Sequence, residues 1–509
     1  MSAYDQIPAD KFRFVNREEK IHDKRLETKP IGYLKDAFLR FSRNRSAVVA
    51  FVLILVLVLF AIIVPFVSTY DVQFRSGYYK TVLPLNPLLR GAGFWDGGKR
   101  ETDNQETYET LLALGQETGR SVILKEYRAY EDANGLSYHD VRVDSYARVG
   151  FAYMNLTAEA YQALKAYQNE SGIQVIYPLS KTSGTAFLLG NGGANFWYKL
   201  RREDAASNGA PLLEDGHPVQ NYMTGRKDQA DYDSLRLAGD DGGADGDAYY
   251  VYAQRNQSGY RVRVDYYEYF RYLYGHEPVF LFGTNVYGQD IFTCLAAGAR
   301  LSFLLALAVS LINFFIGGIY GAIEGYYGGT VDLVMERISD ILADVPFMVV
   351  ATLFQLHLAE KVGTLPSLLF AFVLTGWVGM AARVRMQFYR FKGQEYVLAA
   401  RTLGARDSRL IFKHIYPNSL GTIITGSVLA IPGVIFSESM LSYLHIINLE
   451  TSSLTSIGTM LSNGQGYLST YPHIILFPAL FISILEISFN LFGNGLRDAF
   501  NPVLRGSEE

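Results

Sequence analysis

The chain is 509 residues long, enough for three or four soluble domains, but its composition is not that of a soluble protein throughout. Its 46 Lys and Arg against 50 Asp and Glu give a formal charge of −4, which excludes a generally basic nucleic-acid binder. Charged residues are 19% and hydrophobic ones 49%, against about 25% charged in an average soluble domain. A single cysteine, Cys294, excludes a disulfide scaffold and a four-thiolate metal site.

The apolar surplus falls in blocks. Residues 46–67 (SAVVAFVLILVLVLFAIIVPFV) run for 22 residues without a charge, about 33 Å as a helix against a bilayer core of roughly 30 Å. The run is too long for a signal peptide and lacks a small-x-small cleavage site after it, so it reads as an uncleaved span behind a cytoplasmic segment 1–45. Further candidates are 301–322, 365–382, 419–436 and 473–495. Residues 341–358 are weaker because Asp344 and His357 interrupt them. Six spans put both termini on one side. Lys29, Lys35, Arg40, Arg43 and Arg45 precede the first span, and eight Lys or Arg lie within 383–413. By the positive-inside rule both flanks are cytoplasmic, which orients a multi-pass membrane protein with a cytoplasmic tail, 496–509.

Between the first two spans, residues 71–280 read as an extracytoplasmic α+β domain. The segments AYYVYAQR and YRVRVDYYEY around the NQSG turn predict a β-hairpin, as does DVRVDSYARV after DANG. Residues 156–169 have helical spacing behind a Thr157 cap. Asp241, Asp245 and Asp247 sit in an acidic tract without the spacing of a helix–loop–helix calcium site, and read as a solvated loop.

No G-x-x-x-x-G-K-[ST], H-E-x-x-H or G-x-S-x-G occurs, so the chain is not read as an enzyme. Ionisable groups near membrane depth are costly and usually face a bundle interior or a water path. Candidates are Asp340, Asp344, His357, Glu438 and Glu486. Asp340, Asp344 and Glu438 are expected at helix ends. Glu486 lies deeper, where a bond to a partner subunit and a place on a pathway are equally open. Gly317 and Gly321 form a G-x-x-x-G, read as helix packing.

In the cytoplasmic stretch 395–418, EYVLAARTLGARDSRLIFKHIYPN, helix formers run to Leu403 and Gly404 can end that helix. A second helix is expected over 408–415, stopped by Pro417. Ala399 and Ala400 give the first helix a smooth surface suited to a groove in another protein; a surface hairpin without a partner is the alternative.

This stretch resembles the Glu-Ala-Ala loop of ATP-binding-cassette importer permeases, matching it at Ala399, Ala400, Gly404, Ile415 and Pro417. Leu398 stands where the motif usually has glutamate, and Glu395 lies one turn earlier. GTNVYGQDIFTCLAAGARLSF, with Asn285 and Gln289 replacing aspartate and arginine, is similar to the signature of the oligopeptide/dipeptide/nickel C-type subunit. So are residues 32–73, ESMLSYL and the closing SFNLFGNGLRDAFNP. The resemblance implies an all-α type I importer fold of six transmembrane helices, the first span and five more in the domain 298–495, with coupling to ATPases through 395–418. It implies, as partners, a second (B-type) permease subunit, two ATP-binding-cassette ATPase subunits that bind ATP and Mg, an extracytoplasmic peptide-binding protein and membrane lipid. No cofactor or metal is expected in this chain. The alternative reading is a six-span receptor or anchored enzyme whose active part is the inserted domain.

Overall fold

A computed structural model describes residues 33–177, 250–257, 259–450 and 455–500, with short segments between 180 and 218. The acidic tract with Asp241, Asp245 and Asp247 lies outside these residues. Helix α1 (Tyr33–Arg43) leads into α2 (Arg45–Val67), whose N-cap Asn44 accepts from the Ala47 amide. Most of α2 is exposed apolar surface, and it turns Ala47, Ala50 and Ala61 inward. This is what a helix facing lipid on most of its circumference requires.

Among its described residues, the segment between α2 and the next span carries the helices α3 (Gln105–Thr118), α4 (Ala158–Ser171) and α5 (Tyr266–Tyr274). Strands β1 (Gly98–Asn104), β2 (Ile123–Glu131) and β3 (Ser137–Asp144) form one antiparallel sheet in the order β1-β3-β2, and the DANG turn joins β2 to β3. A second sheet contains β4 (Phe151–Leu156), β5 (Ile176–Tyr177), β6 (Ala253–Asn256) and β7 (Gly259–Asp265). The expected hairpin around NQSG is β6–β7, and Thr157 caps α4. The alternation in YRVRVDYYEY does not stay extended to its end. Asp265 caps α5 by accepting from the Tyr267 amide, so YYEY is helical.

With no disulfide available, this segment is held by an aromatic core of Tyr79, Tyr146, Tyr266, Phe270 and Phe280, and by one buried ion pair. The Arg263 guanidinium, fully buried over the Phe151 ring, donates to both carboxylate oxygens of Glu117 and to the Ala194 carbonyl. At the foot of the segment, Phe282 stacks on Phe477 at 4.0 Å between ring centres, with Trp95 at 5.7 Å from Phe477.

The remaining helices are α6 (Ile291–Tyr327), α7 (Gly329–Ala343), α8 (Phe347–His357), α9 (Ala359–Val362), α10 (Thr364–Lys392), α11 (Glu395–Thr402), α12 (Asp407–Arg409), α13 (Tyr416–Val428), α14 (Ala430–Tyr443), α15 (Ile457–Gly464) and α16 (His473–Phe500). Among the described residues five helices are long and apolar enough to cross a membrane, with 407–443 acting as one of them. The weak sixth candidate is a broken pair, α7 and α8, bent by 71°. Against the six expected helices, the described residues hold five, and six when the bent pair is counted as one span. Pro346 at the break has no N–H to give and disfavours helix in the residue before it, which explains the bend. Residues 324–340, between the candidate spans 301–322 and 341–358, are helical too, turning only at Gly328. Gly317 and Gly321 lie where α6 meets α10: a Cβ on Gly321 would come within 2.1 Å of the Ala381 carbonyl oxygen.

Candidate functional site

The stretch 395–418 stands at the end of α10. Helix α11 ends in a Schellman turn: the Gly404 amide donates to the Arg401 carbonyl at 3.0 Å and the Ala405 amide to the Ala400 carbonyl at 3.1 Å. Gly404 has φ +81°, and no atom lies within 4 Å of where its Cβ would be. Its glycine is required by backbone conformation, not by space.

The second arm departs from the sequence expectation. After α12, residues Leu410–Ile415 form a π-helical turn that closes with the Tyr416 amide on the Ile411 carbonyl. Pro417 does not stop the helix. It sits in the first turn of α13, and the arm runs on into the span. The physical reason is local: proline lacks an amide N–H and its ring would strike the carbonyl four residues back, and a π-turn opens the spiral where that clash would fall.

One side of this hairpin is fastened to the spans. Val397, Leu410, Ile411 and Ile415 are buried with Tyr326, Val384 and Phe388. The Tyr326 hydroxyl donates to Asp407 Oδ1 at 2.6 Å and accepts from Arg401 Nη2 at 3.4 Å, so the end of α6 grips both arms across the Gly404 turn. Asn418 Nδ2 donates to the Tyr396 hydroxyl at 3.2 Å. Burial pushes the Tyr396 phenol above its ordinary value, so this contact does not change with pH near neutrality. Behind the hairpin, Arg385 of α10 reaches Asp332 at 2.6 Å and Glu336 at 2.7 Å, both on α7, and Glu324 of α6 at 3.6 Å.

The other side is open. Glu395, Leu398, Ala399 and Thr402 lie along one exposed face of α11. Leu403 is 87% exposed at the tip and Phe412 64% exposed on the second arm. Ala399 and Ala400 do not share a face: Ala400 is half-buried against the chain's own cluster, and Ala399 is exposed. Sequence reasoning misses Leu403 and Phe412. The available signal is an apolar residue directly before the glycine of a helix end, where no core can receive it.

The polar candidates divide. Asp340 and Asp344 are exposed beside the α7–α8 break, Asp340 paired with Arg337 at 3.1 Å and Asp344 capping α7. His357 ends α8. Glu438 corrects its expectation. It lies inside α14, away from the helix end, and is buried. It accepts from Ser302 of α6 at 2.9 Å and from Ser442 at 3.1 Å. A carboxyl that cannot reach water needs such donors, and nearby serines on packed helices supply them. Glu486 is half-buried in α16, and its Oε1 has no hydrogen-bond partner among the described residues.

Residues 313–506 match the family model of the binding-protein-dependent transport system inner membrane component, and residues 32–84 match the N-terminal TM domain of oligopeptide transport permease C. The oligopeptide transport system permease protein OppC of Bacillus subtilis is 44% identical over 224 residues, 44% of this chain and 72% of that protein. The dipeptide transport system permease protein DppC of the same organism is 41% identical over 225 residues, 44% of this chain and 69% of that protein. OppC of Escherichia coli is 36% identical over 224 residues, 43% of this chain and 72% of that protein. A solved inward-facing structure of the MetNI methionine ABC transporter aligns with 41% of this chain and 96% of its own at 15% identity, with a TM-score of 0.34, too low to add to the sequence relationship. These relatives are transport permeases, and they lend nothing to the receptor or anchored-enzyme reading. With its apolar helices and these identities, the chain belongs to the oligopeptide/dipeptide permease family of binding-protein-dependent ABC importers, as a C-type, multi-pass inner membrane subunit that is not itself an enzyme.

Proposed function

We propose that this chain forms half of a transmembrane path for peptides, paired with a second, B-type permease subunit, and that its 395–418 hairpin is the seat of an ATPase subunit. Two ATPases bind ATP and Mg; this chain binds neither. Their closure on ATP pushes the hairpin, and through it α6 and α13, between inward- and outward-facing arrangements. The observation that carries this reading is the hairpin's two-sidedness: one side is fixed to the spans by Tyr326 and the buried cluster, and the other presents Leu398, Ala399, Leu403 and Phe412 without cover. Glu395 sits at the edge of that face as its one acidic group. Ile415 and Pro417 act from behind, Ile415 in the buried cluster and Pro417 in setting the π-turn.

The proposed organisation is a cytoplasmic segment 1–45, a first span 46–67, an extracytoplasmic α+β domain 71–280, a five-helix importer domain 298–495 and a cytoplasmic tail 496–509. In this reading the inserted domain stands over the mouth of the path and positions the peptide-loaded binding protein. Asp340, Asp344, Glu438 and Glu486 are the polar groups assigned to the spans or their ends.

Ala399→Arg tests the coupling role, because Ala399 is exposed and the change leaves the chain's own core intact. Burying an unpaired charge in the ATPase groove costs several kcal/mol, so co-purification of the ATPase should be lost with expression unchanged. Normal co-purification and uptake would refute it. Orientation is tested with cysteines, the native Cys294 being buried. An impermeant reagent on intact cells should label Arg128→Cys and not Ser408→Cys; the reverse pattern would overturn the topology.

A further inference from the structure

Beside the hairpin, α10, α13 and α16 enclose a cavity of about 370 Å³. Arg383, Gln387 and Arg390 line it from one face of α10, at positions i, i+4 and i+7; Thr422 and Gly426 line it from α13 and Arg497 from α16. Three guanidinium groups therefore converge on one space, and among the described residues no carboxylate lines it. Arg383 donates to the Gly426 carbonyl at 3.1 Å. Arg390 and Arg497 form no ion pair among the described residues. The contrast on α10 itself is sharp: Arg385, on another face, is surrounded by Asp332, Glu336 and Glu324. Among the described residues the helix is supplied with carboxylates on one side and with none on the other.

Depth narrows the choice of ligand. Helix α10 has 29 residues, about 43 Å at 1.5 Å each, against a hydrocarbon core of roughly 30 Å. Arg383 and Arg390 lie in its last three turns, where the helix leaves the hydrocarbon and meets headgroups. Guanidinium forks match the oxygens of a phosphate in pairs, and basic pockets between helices at this depth take anionic headgroups.

We infer that this cavity is a binding site for a phosphate oxyanion, supplied at that depth by the headgroup of an anionic lipid of the leaflet on the hairpin side. The site is independent of the hairpin's role in coupling. The bound phosphate relieves the mutual repulsion of the three arginines and ties α16 to α10 and α13.

The test uses the full chain purified with its partner subunits from membranes containing phosphatidylglycerol, with retained lipid read by native mass spectrometry. The wild type should retain phosphatidylglycerol, and the Arg390→Gln/Arg497→Gln variant should retain it roughly twentyfold less. Arg390→Lys/Arg497→Lys should recover part of that binding, which separates charge from damage to the fold. In a second arm, inorganic phosphate is titrated calorimetrically against the complex in nanodiscs of phosphatidylcholine alone. Saturable binding that the Gln variant loses would support the oxyanion site with free phosphate as the source. Equal lipid retention by wild type and Gln variant, with no phosphate binding, would overturn the inference. So would retention of an acidic peptide in place of lipid or phosphate.

Discussion

In the segment between the first two spans, Arg263 is fully buried, yet Glu117 and the Ala194 carbonyl receive its donors. In the 395–418 hairpin, Leu403 is 87% exposed and Phe412 64% exposed, with nothing among the described residues placed to cover them. The first region brings a charge inside and satisfies it; the second leaves apolar side chains outside. In the proposed reading, a second protein covers the apolar side chains that the hairpin leaves exposed. The inserted segment and Leu403 lie outside the apolar helices, while Phe412 lies in the first turns of the helix 407–443, so at Leu403 the difference does not come from the membrane. It comes from how much chain is available. About two hundred residues can close an aromatic core around Tyr79, Phe270 and Phe280, whereas the hairpin has two short arms and commits its inner face to the cluster around Val397 and Ile415.

Changes can be aimed at either side of this contrast. The largest effect on folding is expected at Arg263→Met, which takes the guanidinium away from the buried Glu117 carboxylate; loss of one partner of a buried pair costs about 3–5 kcal/mol. Protease sensitivity of the segment should rise steeply while ATPase co-purification persists. Loss of both together would show that the two regions are not separable. Gly404→Ala should cost about 1–2 kcal/mol of backbone strain without a steric clash, lowering coupled transport, and Gly404→Asn, which tolerates the left-handed conformation better, should be milder. Equal transport by wild type and Gly404→Ala would deny the Schellman turn a part in coupling. The smallest effect is expected at Tyr326→Phe, which loses the bonds to Asp407 and Arg401 where both partners can reach water, about 1 kcal/mol. ATPase binding should survive this change while stimulation of ATP hydrolysis by loaded binding protein falls. Unaltered stimulation would make Tyr326 a packing residue only.

The spans are legible in the sequence because an uncharged run of membrane length is rarely anything but a membrane helix, and α2 begins within one residue of where its sequence places it. Gly404 is legible for a similar reason: a glycine after a run of helix formers has a strong local meaning. The bend between α7 and α8 is visible only as weakness, since Asp344 and Pro346 dilute the apolar run without saying that the chain turns by 71°. The π-turn before Pro417 is hidden because proline in sequence signals either a stop or a first helical turn, and the choice depends on whether Leu410 and Ile415 find a core. The depth of Glu438 is hidden because its donors, Ser302 and Ser442, are ordinary residues until α6 and α14 are brought together. Likewise, the separation of Ala399 from Ala400 is a property of the helix face that Val397 selects.

Whether an ATPase subunit covers the open face of the hairpin is tested most directly by a photo-crosslinking amino acid placed at Leu403, in the complete complex in native membranes. An adduct with the ATPase that forms at Leu403 and at Phe412, and is absent when the same group is placed at Arg128 in the inserted segment, is the predicted result. An assembled, transporting complex in which Leu403 gives no ATPase adduct, or in which Arg128 gives one, would contradict it.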